Sequence, residues 1–241
     1  MHLPAPFALV GDHIAIALPG GRALFTTRRG GVSEGAYASL NLGWWTDDDA
    51  EAVHRNRETL ARVIGVPLGA VLQGRQVHES RVERRATAEG PLEAADGQAT
   101  AARGLAALVL TADCLPIALI SPGAVAMVHA GWRGLAAGVV EEGVAAVREL
   151  GGDGELHAAI GPGAGGCCYE VGPEVRGAFG AAAERGRIDL KAIARERLTA
   201  AGAAQVHDVG LCTICSDPSL FFSHRRDGGI TGRQAGIAWR S

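Results

Sequence analysis

The sequence predicts an α+β protein (an α/β sandwich) in which a mixed β-sheet is covered by helices. Short apolar runs bounded by turn residues predict buried strands, and stretches with apolar residues at helical spacing predict amphipathic helices. Glycine supplies 35 of the 241 residues, which favours many tight turns. Strands interleaved with helices, together with a hairpin, are typical of a mixed sheet. Nothing along the chain marks a linker, so residues 1–241 are predicted to form one domain.

The first helix is predicted at residues 47–65. Asp48 or Asp49 can accept the free N–H groups at its start. Its apolar face consists of Val53, Leu60, Val63 and Ile64. The later stretch 94–104 has no such periodic pattern and is predicted to be a loop.

Three strands are predicted at residues 105–110, 115–120 and 124–129. Each is a short apolar run, which is typical of a strand inside a sheet. A Ser-Pro-Gly turn at residues 121–123 separates the last two runs. These two strands are therefore predicted to pair as a hairpin.

Three further helices are predicted in the second half of the chain. The first covers residues 135–150 and ends at a pair of glycines, which commonly terminate helices. The second opens at Gly172 and Pro173, because proline suits the first turn of a helix. The third covers residues 190–201 and is also closed by a glycine.

Composition and charge exclude several classes of protein. Lys and Arg total 23 and Asp and Glu total 26, giving a net charge of −3, so no nucleic-acid partner is expected. The chain has no apolar run of about 18 residues, so no transmembrane helix is expected. Its N-terminal stretch lacks the basic region of a signal peptide. We expect a cytoplasmic protein without membrane partners, and the sequence leaves its oligomeric state open.

The five cysteines do not indicate a disulfide framework, because their number is odd and the chain is long. Cys212 and Cys215 form a CxxC pair, but no second CxxC accompanies it. Cys167 and Cys168 are adjacent, which is poor geometry for supplying two ligands to one ion. These four residues are therefore interpreted as structural thiols.

His78, Cys114 and His129 are the candidate catalytic and metal-binding residues. Cys114 follows the first predicted strand and His129 closes the third, so pairing of these strands would bring them to one sheet edge. Two imidazoles and a thiolate suit zinc, and three protein ligands leave a fourth position for water or substrate. Separations of 36 and 15 residues fit a catalytic site better than a structural knuckle. The same residues also allow a cysteine hydrolase, with Cys114 as nucleophile and His129 as base.

Arginines are the candidate anion-binding residues. Arg28, Arg133 and Arg225 are considered, because guanidinium groups match the geometry of phosphate. Arg133 lies at a turn that opens a predicted helix, where free N–H groups favour an anion. Arg28, Arg133 and Asn41 are selected as substrate-binding residues.

Several distinctive segments occur in one order along nearly the whole chain. They are SLNLG at 39–43, QVH at 76–78, TADC at 111–114, HAGWRG at 129–134, IGP and CCYEVG within 160–172, and FFSHRRDGGITGR at 221–233. In these segments the sequence resembles the YfiH-like laccase-domain family, also called multicopper polyphenol oxidase-like or peptidoglycan editing factor proteins. The resemblance implies a single mixed α/β sandwich with zinc ligands at His78, Cys114 and His129. Residues 95–100 are more polar than is usual in the family, which leaves the nature of the local pocket wall open.

The resemblance also implies a function. It implies a zinc-dependent purine nucleoside phosphorylase that acts on adenosine, inosine and S-methyl-5′-thioadenosine with phosphate, and that deaminates adenosine. The multicopper name is not supported by the composition, because the chain has 8 histidines and no His-x-His pair. A site with three ligands could accept one copper ion but not a multicopper cluster.

Two alternatives remain open. A cysteine hydrolase or amidase would use Cys114 and His129 to edit a peptidoglycan precursor. A non-catalytic binding protein would use zinc only to stabilise its strands.

Overall fold

The computed structural model describes residues 2–180 and 186–241, which form two six-stranded sheets and five α-helices. The strands are β1 (Ala8–Val10), β2 (His13–Leu18), β3 (Gly21–Phe25), β4 (Val71–Leu72), β5 (Val82–Arg84), β6 (Gly97–Thr100), β7 (Ala106–Thr111), β8 (Leu115–Ser121), β9 (Ala124–Ala130), β10 (Leu156–Ile160), β11 (Ala203–Asp208) and β12 (Gln234–Arg240). The helices are α1 (Ala50–Ile64), α2 (Trp132–Ala137), α3 (Val139–Glu149), α4 (Pro173–Phe179) and α5 (Leu190–Ala200).

The two sheets pack face to face. Their strand orders are β1-β2-β3-β12-β7-β4 and β11-β10-β8-β9-β6-β5, and each contains parallel and antiparallel neighbours. Phe25, Ile120 and Met127 belong to the apolar core between them. Helix α1 packs on the first sheet, and α3 and α5 pack on the second. The result is a helix–sheet–sheet–helix sandwich, which confirms the predicted mixed α+β class.

The sequence predicted one mixed sheet, and the division into two is a correction. Every residue of β7, β8 and β9 is buried. Continuous apolar runs predict strands that are covered on both faces, but they do not show which strand becomes the neighbour. β7 pairs with β12 and β4 in the first sheet, whereas β8 and β9 pair with each other in the second.

The predicted hairpin is confirmed, and the predicted loop before it is wrong. β8 and β9 are antiparallel, with Leu115 opposite Ala130 and Pro116 opposite His129. Residues 94–104 contain β6, an inner strand between β9 and β5. This strand is fully buried, but its glutamine and threonine conceal the apolar pattern by which buried strands are recognised.

The predicted helices are present, with one break. Helix α1 begins after Asp49, whose carboxylate accepts the N–H of Glu51, and ends at Gly65 with φ 70°. The predicted helix at 135–150 is interrupted at Gly138, whose φ of 92° separates α2 from α3. Helix α4 starts at Pro173, and α5 covers the region predicted for the last helix. None of the helices within residues 2–180 and 186–241 has the length and apolarity needed to cross a membrane.

Candidate metal centre

Three side chains that can bind a metal converge where β8 and β9 meet. His78 lies between β4 and β5, Cys114 directly precedes β8, and His129 is near the end of β9. Their ligand atoms all lie within 4.8 Å of one another. The hairpin brings Cys114 and His129 together, because Pro116 lies opposite His129. The structure thus assembles the three residues that the sequence singled out.

The fully buried carboxylate of Asp96 positions both histidines. It accepts the backbone N–H groups of Val77, His78 and Glu79 at 2.9–3.0 Å. Its Oδ1 also lies 2.8 Å from Nδ1 of His129. Contact between Asp96 and Nδ1 leaves Nε2 of His129 available for a metal, as is usual when a carboxylate stands behind a metal-binding histidine. Burial disfavours the carboxylate, but His129 and the backbone N–H groups outweigh it and lower the pKa of Asp96.

Asp96 was not selected from the sequence. The sequence shows only that residues 95–100 are more polar than is usual in the family. The available signal was an acidic residue directly before a strand. A buried carboxylate there needs several hydrogen-bond donors, and the sequence around it does not show where they come from. Those donors come from residues 77–79 and from His129, which are distant in sequence.

Two residues around the centre adopt strained backbone conformations. His78 has φ 63° and Asp113 has φ 98°, and such values in residues other than glycine concentrate at functional sites. The hydrogen bonds to Asp96 hold His78 in place. The carboxylate of Asp113 accepts the Thr213 hydroxyl at 2.6 Å and the Arg225 N–H at 2.8 Å. The backbone on either side of the centre is therefore fixed by buried polar contacts.

Cys114, which is partly buried, and His129, which is buried, stabilise each other's charged forms. Burial disfavours the thiolate, but the imidazoles of His129 and His78 outweigh it and lower the pKa of Cys114 to about 6. Burial also disfavours the imidazolium, but Cys114 and Asp96 raise the pKa of His129 to about 9. The thiolate favoured here is both the metal-binding and the nucleophilic form of cysteine.

The backbone at Gly131 passes close to the candidate ligands. A Cβ atom there would lie 2.9 Å from Sγ of Cys114 and 3.3 Å from Cδ2 of His78. Gly131 therefore lets the backbone pass close to the candidate ligands, because any side chain at this position would displace one of them.

The candidate ligands open into a cavity of about 410 Å³. This volume lies within the ordinary range for small-molecule sites. Its wall also contains three cations, Arg75, Arg225 and Arg233, and two large aromatic rings, Trp45 and Tyr169. A metal site, cations and aromatic rings thus face one space.

The three residues selected for substrate binding lie outside the lining of this cavity. Arg28 stacks 4.3 Å from the Phe222 ring centroid and donates to the carbonyl of Ala38. Arg133 is exposed and stacks on its neighbour Trp132.

Asn41 is buried and makes hydrogen bonds to residues that line the cavity. Its Oδ1 accepts the N–H groups of Gly43 and Arg233, and its Nδ2 donates to Thr46 and Asp48. Gly43, Thr46 and Arg233 all line the cavity. Asn41 therefore fixes the shape of this wall without facing the cavity.

The other four cysteines form a second group. Their Sγ atoms lie within 4.8 Å of one another, which corrects the interpretation that Cys167 and Cys168 could not join the CxxC pair with suitable geometry. Burial disfavours the Cys212 thiolate, but the backbone N–H groups of Cys215, Gly165 and Ile214 lower the pKa of Cys212 to about 7.

The donor atoms present decide which metal centres fit. Two imidazoles and one thiolate suit a single zinc or copper ion. Within residues 2–180 and 186–241, neither donor group provides the many histidines that a multicopper cluster needs.

A two-sheet α+β fold with a His-Cys-His centre in the floor of a cavity defines a class of protein with a possible single-metal site. The chain belongs to the multi-copper polyphenol oxidoreductase laccase family, whose model matches residues 22–241. The family is the YfiH-like one that the sequence segments indicated.

Relatives and solved structures agree with this assignment. The chain is 40% identical over 234 residues to a purine nucleoside phosphorylase of Corynebacterium glutamicum, covering 90% of this chain and 94% of the relative. It is 43% identical over 239 residues to a purine nucleoside phosphorylase of Pseudomonas aeruginosa, covering 90% and 93%. The crystal structure of YlmD from Geobacillus stearothermophilus matches with a TM-score of 0.88 and 33% identity, over 98% of this chain and 99% of that one.

Proposed function

We propose that the protein is a zinc-dependent purine nucleoside phosphorylase acting on adenosine, inosine and S-methyl-5′-thioadenosine. The observation that carries the proposal is the cavity in which a possible metal site faces three arginines. The names of relatives at 40% and 43% identity support it.

His78, Cys114 and His129 would hold the zinc ion. Zinc fits because the set mixes imidazole nitrogen with a thiolate and leaves a fourth position open. When bound there, zinc supplies Lewis-acid polarisation of a substrate oxygen or of water. Asp96 contributes by fixing the ring of His129 and the backbone of His78.

Phosphate would be bound by arginines of the cavity wall. Arg225 and Arg233 are the main candidates, because each has its backbone fixed, by Asp113 and by Asn41 respectively. Each guanidinium is also anchored through Nη1, that of Arg225 to the carbonyl of Glu170 and that of Arg233 to the carbonyl of Thr231. The remaining N–H groups of an anchored guanidinium can hold a tetrahedral oxyanion at a defined place. This assignment moves phosphate away from Arg28 and Arg133. It also moves phosphate away from α2, which has only six residues.

The purine would stack on an aromatic ring at the cavity. Trp45 lines the cavity and is 60% exposed, so its ring is accessible for stacking on a base. Tyr169 lies on the wall with the Arg225 guanidinium 5.2 Å from its ring centroid. Base stacking of this kind tolerates different purines, because every base has a π-face.

In phosphorolysis, a phosphate oxygen bonds to C1′ of the ribose while the C1′–N9 bond breaks. The electron pair leaves with the purine. Hydrogen phosphate loses its proton as it becomes the ester and the purine gains one, so the products are ribose 1-phosphate and the free base. Positive charge develops on the sugar, so a held phosphate dianion stabilises it electrostatically as well as attacking it. The arginines therefore serve position rather than proton transfer.

The same cavity supports adenosine deamination as a second activity. There water replaces the amino group at C6, so the products are inosine and ammonia and phosphate is not consumed. The support is the open fourth position of the His-Cys-His set, where water can approach a bound purine.

A specific observation also favours the cysteine hydrolase alternative. Cys114, His129 and Asp96 stand in the order of a nucleophile, a base and a carboxylate that orients the base. The low pKa of Cys114 would suit a nucleophile as well as it suits a metal ligand.

Product analysis of adenosine incubated with tag-free protein tests these functions. With phosphate, we expect adenine and ribose 1-phosphate in addition to the products of deamination; without phosphate, only inosine should form. Equal release of adenine in both reactions would contradict phosphorolysis. Chelation should abolish both activities and added zinc should restore them. Full activity after chelation, lost on alkylation of Cys114, would instead favour the cysteine hydrolase.

A further inference from the structure

The four remaining cysteines lie in two loops that neighbouring strands bring together. Cys167 and Cys168 follow β10, and Cys212 and Cys215 follow β11. β10 and β11 are parallel, so the segments that leave their ends start side by side. A bridge between Gly163 and Cys212 continues this pairing into the loops.

The sulfur positions match the ligand spacing of one tetrahedral ion. All four Sγ atoms lie within 4.8 Å of one another, and those of Cys167 and Cys215 are 3.5 Å apart. Tetrahedral zinc with Zn–S bonds of about 2.3 Å places its sulfurs about 3.8 Å from one another. A disulfide would bring two of the sulfurs to about 2.05 Å, and a cluster of several irons would need a wider ring of thiolates.

Backbone N–H groups of both loops point at the sulfur of Cys212, those of Ile214 and Cys215 from its own loop and that of Gly165 from the other. Sγ of Cys212 accepts the N–H of Gly165 at 3.2 Å, so the first loop contributes a hydrogen bond as well as two sulfurs. Such N–H contacts stabilise a metal-bound thiolate and fix its orientation.

A buried cation lies beside this group. Lys191 is 6% exposed, donates to the carbonyl of Leu211 at 2.7 Å and lies 3.6 Å from Asp208. Burial lowers the pKa of Lys191, and the negative charges of Asp208 and Cys212 offset part of that effect. A zinc ion with four thiolates carries a net charge of −2, which a neighbouring ammonium stabilises.

We propose that Cys167, Cys168, Cys212 and Cys215 bind a second zinc ion in a closed, structural site. Four protein sulfurs fill the tetrahedron, so no position is left for substrate. The site fastens the loop after β10 to the loop after β11. This inference does not depend on the proposed function.

Both fastened loops reach the candidate active centre. Tyr169 follows Cys168 directly and lines the cavity. Thr213 follows Cys212, and its hydroxyl is bonded to Asp113, the residue before Cys114. The structural ion would therefore hold one wall of the cavity against the backbone of the metal-binding cysteine.

Metal content in a Cys114→Ala background tests the proposal, because that change removes a ligand of the other centre. We expect the Cys114→Ala protein, purified without a metal-affinity tag, to keep about one zinc per chain. Adding Cys215→Ser should remove that zinc, because it takes away one of the four ligands. Cys215 is exposed, so the change removes little packing. The matched control adds Ser216→Ala instead and should keep it. Zinc that is absent from the single variant, or equal in both double variants, would overturn the proposal.

Measurements on the Cys114→Ala protein itself remove the dependence on folding of the double variants. An organic mercurial that titrates four thiols should release the zinc stoichiometrically. Cobalt(II) exchanged into the protein should give the intense visible absorption of a tetrahedral thiolate site. An intact mass lower by two hydrogens, measured without reductant, would show a disulfide and overturn the proposal. Cobalt bound without a thiolate spectrum would overturn it as well.

Discussion

The two donor groups of this protein differ in where their ligands come from and in what they face. The His-Cys-His centre draws on three segments and opens into the cavity. The four-cysteine group draws on two loops, and its four sulfurs are the number of ligands that a tetrahedral zinc ion takes. A centre with a free position can bind substrate or water, whereas a filled one can only hold the chain together. One fold thus holds two donor groups, for which we propose a catalytic and a structural role respectively.

The largest effect is expected from removing a ligand of the open centre. Cys114→Ala should lower kcat/KM for adenosine by more than about 100-fold, because even supporting residues of metal sites commonly cost 10–100-fold. Deamination should fall together with phosphorolysis. Steady-state kinetics with adenosine, alongside metal analysis, provides the measurement.

Cys215→Ser is the matched comparison, since it removes a sulfur ligand from the other group. It should retain most of kcat and lose one zinc ion. A loss of kcat as large as that in Cys114→Ala would mean that the two groups are not divided into catalytic and structural.

Asp96→Asn should have the next largest effect. Loss of the carboxylate charge weakens the interaction with Nδ1 of His129. The amide also has an NH2 group in place of one oxygen, and this group cannot accept the N–H groups of residues 77–79. Affinity for zinc at the open centre should fall by about 10–100-fold. Competition with a chelator of known affinity measures it.

The control for Asp96 is Asp153→Asn, which changes an exposed aspartate. It should leave zinc affinity unchanged. Thermal unfolding of both variants separates a local loss of affinity from general destabilisation. An Asp96→Asn protein with the affinity of the unaltered protein would contradict the positioning role.

Much of the open centre could be predicted from the sequence because its main contact is local. Cys114 and His129 lie side by side at the open end of a hairpin. The Ser-Pro-Gly turn that joins the two strands is visible in the sequence. His78 could be selected by its residue type, and the family resemblance agrees with that choice, but no local pattern predicts its position, because its segment reaches the site through Asp96. The buried strand β6 was hidden by its polar residues, and with it the role of Asp96.

The four-cysteine group could not be predicted in the same way. Its two halves meet because β10 and β11 are parallel neighbours joined by a long crossover that contains α4 and α5. Nothing local in the sequence reports that pairing. The arginines of the cavity were difficult to choose for the same reason: Arg225 and Arg233 point to one space only after loops from distant parts of the chain have packed.

Arg233→Ala tests which arginines bind phosphate. The guanidinium contributes charge-assisted hydrogen bonds, so its loss should raise KM for phosphate by about 10-fold or more. Deamination, which consumes no phosphate, should change less. Initial rates at varied phosphate concentration give the KM.

Arg133→Ala is the matched control outside the cavity lining. It should leave KM for phosphate nearly unchanged. If Arg133→Ala raised KM for phosphate and Arg233→Ala had no effect, phosphate would instead bind near the start of α2.

The smallest effect is expected where the two groups are joined. Thr213 is fully buried, and its hydroxyl donates to Asp113 at 2.6 Å. Thr213→Val keeps the shape of the side chain but removes this donor, so the protein should lose about 1–3 kcal/mol of unfolding free energy.

The zinc content of the Thr213→Val protein should be unchanged. KM for nucleoside should rise a few-fold, because the wall that carries Tyr169 is less firmly held. Thr199→Val, an exposed threonine in α5, should change neither quantity. Loss of a zinc ion in Thr213→Val would contradict this expectation, because it would show that the hydrogen bond is needed for metal binding itself.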